Sequence, residues 1–339
     1  SKGRQHTTVT PASPQSIYYG SDGADEIFKR NLSLSAYAQY YKDFNKNHHF
    51  DIMGGYEWQH FYHSQNNDYV SYYPLTNNDA SLAGTARPHP PYSYKTENYL
   101  VSFFGRANYI LNERYYLTAT VRYDGSSRFK DHWALFPSFA LAWKIKEEAF
   151  LKNADWLSDL KLRLGYGKTG QQDIGSNYAW IPTYSMSTGT NGFYPVAGDG
   201  TLYRPDNFTP DLKWETTHSL NLGIDFGFFN NKLNGSFEVY KNNVKDLLME
   251  MQITGSGYNT QYQNVGETKN SGFELTLNYD AINTKNYGLN FSFTLGHNTN
   301  EVVSLGSMDS YSKPSYWAST EIGSDYLVKP GKPVGTIVG

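Results

Sequence analysis

The 339-residue chain has no cysteine, which removes disulfide frameworks and thiolate metal sites while leaving every compartment open. Charge is scarce. Asp, Glu, Lys and Arg make up 18% of the residues, against about 25% in ordinary soluble domains. The formal net charge of -3 speaks against a nucleic-acid surface or a polybasic membrane patch. No stretch approaches the run of about 18 apolar residues that a transmembrane helix needs. Membrane strands escape that test, because their alternation averages the hydropathy out. No GxSxG, P-loop or HExxH pattern occurs, so neither a catalytic constellation nor a cofactor site is expected. The opening residues, Ser1-Lys2-Gly3-Arg4-Gln5, lack an apolar signal-peptide core, and the chain is expected to be a segment of a longer polypeptide.

What is present is alternation. Tyr115, Leu117, Ala119, Val121 and Tyr123 form one row, and Tyr116, Thr118, Thr120, Arg122 and Asp124 the other. Phe273, Leu275, Leu277 and Tyr279 oppose Glu274, Thr276, Asn278 and Asp280 in the same way. A period of two puts the rows on opposite faces of a strand. Strands are expected near 31–43, 49–63, 97–110, 115–124, 133–145, 157–167, 214–226, 233–244, 271–280 and 287–298. A strand of about ten residues tilted near 45° crosses the apolar layer of a bilayer. Aromatics reach 17%, led by 30 Tyr, a composition that suits strands and interfacial belts.

The connections alternate in length. Asn45-Lys46-Asn47, Leu111 to Arg114, Gly227 to Lys232 and Ala281 to Asn286 read as hairpin turns, and Lys146 to Asp155 as a somewhat longer link on the same side. Ser64 to Thr96, Lys168 to Lys213 and Lys245 to Asn270 are long segments, all at the other end of the strands. Short turns on one side and long loops on the other mark an outer-membrane barrel. The competing reading is an antiparallel β-sandwich, in a secreted module that binds polysaccharide. Its solvent face should carry many Lys and Glu, whereas here the polar row reads Gly288, Asn290, Ser292, Thr294 and Gly296.

Several residues invite a chemical role. His48, His49, His60 and His63 cluster in sequence, but interfacial or loop positions are favoured over a metal site. Asp22, Asp25 and Glu26, and separately Asp199, read as acidic turns without the spacing of a calcium loop. Gly165-Tyr166-Gly167-Lys168-Thr169-Gly170 lacks phosphate-loop spacing, and its glycines are expected to let a strand bend at the rim. In the loop Lys168–Lys213, the aromatics Tyr178, Trp180, Tyr184, Phe193, Tyr194 and Tyr203 stand among Asn, Ser, Thr, Gly and Asp. Such faces suit sugar rings, and equally they pack a loop onto itself or against a lid protein. The segment Tyr69 to Tyr94, with Tyr72, Tyr73 and Tyr92, is a weaker candidate. Arg106, Arg122, Asp124 and Arg163, with Arg128 and Lys161 nearby, are expected to be lumen-facing charges, the cations pairing with plug carboxylates or steering anionic cargo, with structural pairing favoured. Tyr109, Tyr115 and Trp143 read as part of an interfacial aromatic girdle.

An ordered set of blocks then carries a resemblance. Ser102-Phe103-Phe104-Gly105-Arg106-Ala107-Asn108-Tyr109 and Asn112 to Phe129 come first, followed by Phe136-Pro137-Ser138 to Phe150 and Leu157 to Gly175. Leu212-Lys213-Trp214-Glu215-Thr216-Thr217, Asn221 to Leu233, Asn264 to Glu274 and Gly331-Lys332-Pro333-Val334-Gly335 complete the set. The chain resembles the barrel of SusC/RagA-type TonB-dependent outer-membrane transporters of Bacteroidetes-like, Gram-negative bacteria. The resemblance implies an all-β, antiparallel transmembrane barrel of about 22 strands, of which residues 1–339 form a central part of one barrel domain. The plug domain, the TonB box and the C-terminal strands are expected to lie outside this chain. TonB acting on the plug, a SusD-like surface lipoprotein over the mouth, outer-membrane lipid and an oligosaccharide or peptide cargo are the implied partners, with no nucleic acid. A siderophore or metal-chelate receptor of the wider group is the remaining alternative.

Overall fold

The computed structural model describes residues 2–8, 20–72, 86–88, 92–186, 203–252, 260–313 and 325–337. All ten expected strands are present: β2 (Gly20–Asn45), β3 (His48–Tyr72), β5 (Tyr92–Leu111), β6 (Tyr115–Ser126), β7 (Trp133–Lys144), β8 (Leu157–Gln171), β11 (Glu215–Phe228), β12 (Leu233–Gln252), β13 (Thr260–Asn283) and β14 (Gly288–Leu305). Shorter ones are β1 (Lys2–Thr8), β4 (Ala86–Pro88), β9 (Tyr184–Met186), β10 (Tyr203–Pro205), β15 (Tyr311–Lys313), β16 (Tyr326–Val328) and β17 (Thr336–Ile337). Backbone pairing runs β1-β2-β3-β5-β6-β7-β8-β11-β12-β13-β14 in a single sheet, with β4 beside β3. Near-neighbour pairing in chain order is the meander expected of a barrel wall.

Two compact units divide the chain: residues 1–34 with 57–100, and residues 35–56 with 101–339. In the first, β1 pairs antiparallel with β2, matching Gln5 to Asp25 and Arg4 to Glu26. The acidic residues 22, 25 and 26 therefore lie in a paired strand, not in a turn, and the first long strand starts at Gly20, well before residue 31. Where they are described, the segments 64–96 and 245–270, expected as loops, are strand as well. β3 continues to Tyr72, β5 begins at Tyr92, and β12 and β13 pair out to Gln252 and Thr260. The physical reason is that alternation marks a strand only while its two faces meet different solvents. Beyond the apolar layer both faces see water, and the pattern dissolves although the hydrogen-bond ladder goes on.

In the second unit the two rows occupy two faces. Leu117, Leu222 and Phe291 are 47%, 42% and 57% exposed, and among the described residues no second layer covers them; Leu275 in the same set is half-buried. A sandwich would have buried this row, so that reading is set aside. The apolar face is bounded by aromatic clusters. Near the short turns, Tyr115 stacks on Trp143 at 6.2 Å and 15°, and both donate to Glu148. The Tyr115 hydroxyl first, then the Trp143 indole, holds the Glu148 carboxyl below its ordinary range. Toward the other end, Tyr123 stacks on Trp133 at 4.8 Å, and Phe103 lies 6.0 Å from Trp133 and 5.3 Å from Tyr56. Tyr115 and Tyr123 stand about 27 Å apart along β6. At a tilt near 40° that is about 21 Å of height, close to the roughly 25 Å apolar band of outer-membrane barrels.

The short turns take the geometry their residues allow. Asn112 and Glu113 both have φ of 54°, the pair of positive values of a type I′ hairpin. Between β11 and β12 three consecutive residues, Phe229, Asn230 and Asn231, take positive φ, at 56°, 57° and 61°. The longer 145–156 link opens with a 3-10 turn, Ile145–Glu147. It is closed by the Lys146 ammonium donating to the carbonyls of Leu151, Lys152 and Ala154.

Candidate functional site

The polar face carries two kinds of surface. One is a set of charges that neutralise each other. The Arg163 guanidinium donates to Asp225 from Nε at 3.0 and 3.1 Å and from Nη2 at 2.9 Å, and reaches Glu238 at 3.2 Å. It gets there because Gly223 lies opposite both Arg163 and Glu238 in the register. A Cβ at Gly223 would stand 2.8 Å from Arg163 Nη2. Lys161 adds a contact to Asp225 at 3.8 Å. Arg122 binds Asp124 from Nε at 2.7 and 3.0 Å and the Ser102 hydroxyl at 2.8 Å. Farther along the face, Gln39 and Asn108 both donate to Asp51, and Thr118 donates to Asn108. Arg106 is exposed and has no ion pair among the described residues.

The second surface is uncharged. Ser138, Gly167, Ser219, Asn242, Asn270 and Asn300 stand side by side across six strands. In the next row Tyr240 lies over Gly272 and donates to Asn298 at 3.2 Å. The Asn270 side-chain oxygen, Oδ1, is buried without a hydrogen-bond donor among the described residues. Hydroxyls and amides in register make a wall that donates and accepts without net charge.

At the long-loop end a small core fixes the rim. Phe129 is 0% exposed, with its ring 5.2 Å from Trp214, which in turn meets Phe136 edge-on at 5.4 Å. Leu212, Ile174 and Ala179, from the adjoining loop segments, are buried as well. β8 stays paired with β11 out to Gln171, so the strand continues through the glycines at 165–170. Its pairing with β7 stops at Gly167, and the Phe136 ring fills the parting over Gly170, where a side chain would collide with it. Polar ties hold the loops to this core. Arg128 donates to Asn177, to the Gln172 carbonyl and to Asp173 at 3.0, 3.2 and 2.8 Å. The Trp214 and Trp180 indoles donate to the carbonyls of His132 and Ser127. Asn264 binds Lys213 through both backbone groups.

Of the loop aromatics, Trp180 is thus committed to holding the rim, edge-on to His132. Tyr184 and Tyr203 sit on the β9–β10 ribbon, clamped at its base by Thr183 and Asp206; Tyr184 is 55% exposed. Tyr178 is half-buried. Phe193, Tyr194, Tyr73 and Asp199 lie outside the described residues. Three of the four clustered histidines are spent on bonds: His48 with the Tyr109 hydroxyl, His49 with Asp43, and His60 with Glu97 while stacked on Tyr99 at 4.2 Å; His63 lies edge-on to Tyr94 at 5.5 Å, its Nε2 buried without a hydrogen-bond partner among the described residues. Among the described residues no three ligating groups cluster. The rim core and the amide row were not anticipated from sequence. The Arg-Phe pair 128–129 and the Leu-Lys-Trp run 212–214 were visible as motifs, but nothing local says that they meet.

One consequence is pH dependence at the rim. The Gly175 amide, with Arg128 beside it, holds the Asp173 carboxyl below its ordinary range. A lowered folded value contributes stability above the unfolded value of about 3.9, and loses it as pH falls through the folded one. Amide protection over residues 173–178, corrected for intrinsic exchange, is therefore expected to drop below about pH 4. Asp173→Asn should show that reduced protection already at pH 7. Equal protection in both proteins at pH 7 would remove Asp173 from the clamp.

An antiparallel wall with an apolar face between aromatic girdles, a polar face and a built rim is the barrel of a TonB-dependent receptor. Residues 3–332 match the family described as TonB dependent receptor-like, beta-barrel, and the chain belongs to it. Among its relatives is the TonB-dependent receptor SusC of Bacteroides thetaiotaomicron, 42% identical over 342 residues, covering 98% of this chain and 32% of SusC. The TonB-dependent receptor P26 of Formosa agariphila is 32% identical, covering 90% of this chain and 31% of that protein. Among solved structures, the RagAB peptide transporter superposes with a TM-score of 0.79 at 25% identity, over 98% of this chain and 36% of that one. The chain thus spans about a third of the length of these relatives.

Proposed function

We propose that this chain is the wall and rim of an outer-membrane importer that takes up neutral oligosaccharides, driven by TonB through the rest of the receptor. A SusD-like surface lipoprotein would close over the long-loop end. The observation that carries the reading is the 42% identity with SusC across 98% of the chain. The site chemistry supports it. Charges on the polar face are largely consumed by one another, as in Arg163–Asp225–Glu238. The row that remains available is amide and hydroxyl, which matches sugar hydroxyls better than charged termini. Peptide is the second reading, favoured by the superposition on the RagAB peptide transporter.

The full-length receptor with its lipoprotein decides between them by calorimetry against a panel of neutral oligosaccharides and a panel of peptides. Binding confined to sugars is expected; binding confined to peptides would overturn the glycan assignment. In the same assay Tyr184→Ala should weaken cargo about five- to tenfold, as for an exposed aromatic contact, with thermal stability unchanged. Trp180→Ala should instead loosen the rim. Unchanged affinity in Tyr184→Ala would take the β9–β10 ribbon out of the cargo site.

A further inference from the structure

On the apolar face, one place departs from hydrocarbon. The register lines up Leu164, Leu222, Val239 and Phe273 across β8, β11, β12 and β13. The next row toward the long-loop end is Tyr166, Leu220, Lys241 and Ser271, and the one after it Lys168, His218, Asn243 and Lys269. Lys245 follows, opposite Thr216. Pairing partners share a face, so these cations point to the same side as the leucines beneath them, away from the polar wall. The bond between the Tyr166 hydroxyl and His218 Nδ1, at 3.0 Å, fixes that side for the row. When Tyr166 donates in that bond, the imidazole proton lies on Nε2, a further donor.

Four lysines within three successive rows repel one another unless an anion joins them. None of the four is ion-paired among the described residues, although Glu301 faces Lys269 across the β13–β14 register and the Lys168 ammonium lies 5.9 Å from the centre of the Phe136 ring at the rim. Lys168 pairs with His218 across β8 and β11, and Lys245, opposite Thr216, stands one same-face position farther along. The strand spacing makes the patch about 14 Å wide, and Lys241 to Lys245 is about 14 Å along the strand. That is an area for one headgroup, set directly above an apolar surface.

We infer that Lys168, Lys241, Lys245 and Lys269, with His218, form a binding site for the phosphate groups of one outer-leaflet lipid, whose acyl chains lie on the Leu164–Leu222–Val239–Phe273 row below. Cations at the edge of a bilayer gain from anionic headgroups, and a fixed strand array gives this gain a stoichiometry. The site rests on the outer-membrane placement proposed above, but it is separate from cargo recognition because it uses the opposite face.

Native mass spectrometry of the full-length receptor in mild detergent tests it, with bisphosphorylated lipid A, its phosphate-free form and inorganic phosphate as probes. One bisphosphorylated lipid per receptor is expected, with affinity falling at least tenfold when the phosphates are removed. Each Lys→Gln change should weaken binding about fivefold, and the quadruple variant should retain none. Equal binding of the phosphate-free lipid, unchanged affinity in the variants, or tight binding of inorganic phosphate alone would each overturn the site. If the quadruple variant does not fold, the exposed single changes Lys241→Gln and Lys245→Gln carry the test. Heat-modifiable migration of the same sample separates the outcomes. A receptor without it sinks the membrane placement, whereas an intact barrel indifferent to phosphate sinks only the lipid site.

Discussion

Leu222→Arg is expected to destabilise the assembled receptor by about 2–4 kcal/mol, the penalty for a cation at mid-bilayer on a barrel's lipid face. Asn221→Arg, one residue away, should change stability by less than about 0.5 kcal/mol. The asymmetry follows from placement. Leu222 is 42% exposed with Leu164 and Val239 as its register neighbours; Asn221 opposes Gly165 and Tyr240 on the polar wall. In water an exposed leucine tolerates arginine, so the protein alone supplies no reason for a large effect. Lipid does. The folded fraction of each variant, read from heat-modifiable migration of outer-membrane extracts, gives the comparison. Two variants that behave alike would mean that the apolar face does not meet hydrocarbon. The depth dependence adds a second constraint: Tyr123→Arg, at the girdle, should cost no more than about 1 kcal/mol.

The wall was legible in the sequence because its chemistry is written locally. In β6 and β14 each residue declares its face by parity, so ten strands and their short turns could be placed without partners. Strand ends were not legible, and β12 shows why. Past Val244 the residues Lys245, Asp246, Leu247 and Leu248 lose alternation, and the register with β13 shifts twice, yet pairing persists to Gln252. The ion pairs were half legible. Arg163 could be assigned to the polar face, but Asp225 and Glu238 become its partners only through a register spanning 62 and 75 residues. Gly223 has to be read in the same register before the reach of the guanidinium makes sense. The rim was the least legible. Phe129, Trp214 and Leu212 come from segments more than 80 residues apart, and neither period nor composition signals their meeting.

That hidden core makes the other large prediction. Phe129 is fully buried against Trp214, whose ring also meets Phe136, and Phe129→Ala should cost about 3–5 kcal/mol, the usual loss for an emptied aromatic site. The loss should stay local. β6, β7, β8 and β11 are held by in-register ladders, whereas the 172–183 and 206–214 segments are tied down by few bonds around this one cluster. Hydrogen exchange should therefore rise at Thr209, whose amide donates to Ala179 at 2.7 Å, and at Lys213, whose amide donates to Asn264 at 2.9 Å. Exchange in β12 and β13 below the rim should be unchanged, as should heat-modifiable migration. Cargo affinity should fall together with rim protection, because the β9–β10 ribbon that presents Tyr184 is rooted in the same segments. If the rim opens while cargo affinity holds, recognition belongs to the wall below, and the amide row Asn242–Asn270–Asn300 becomes the place to substitute next.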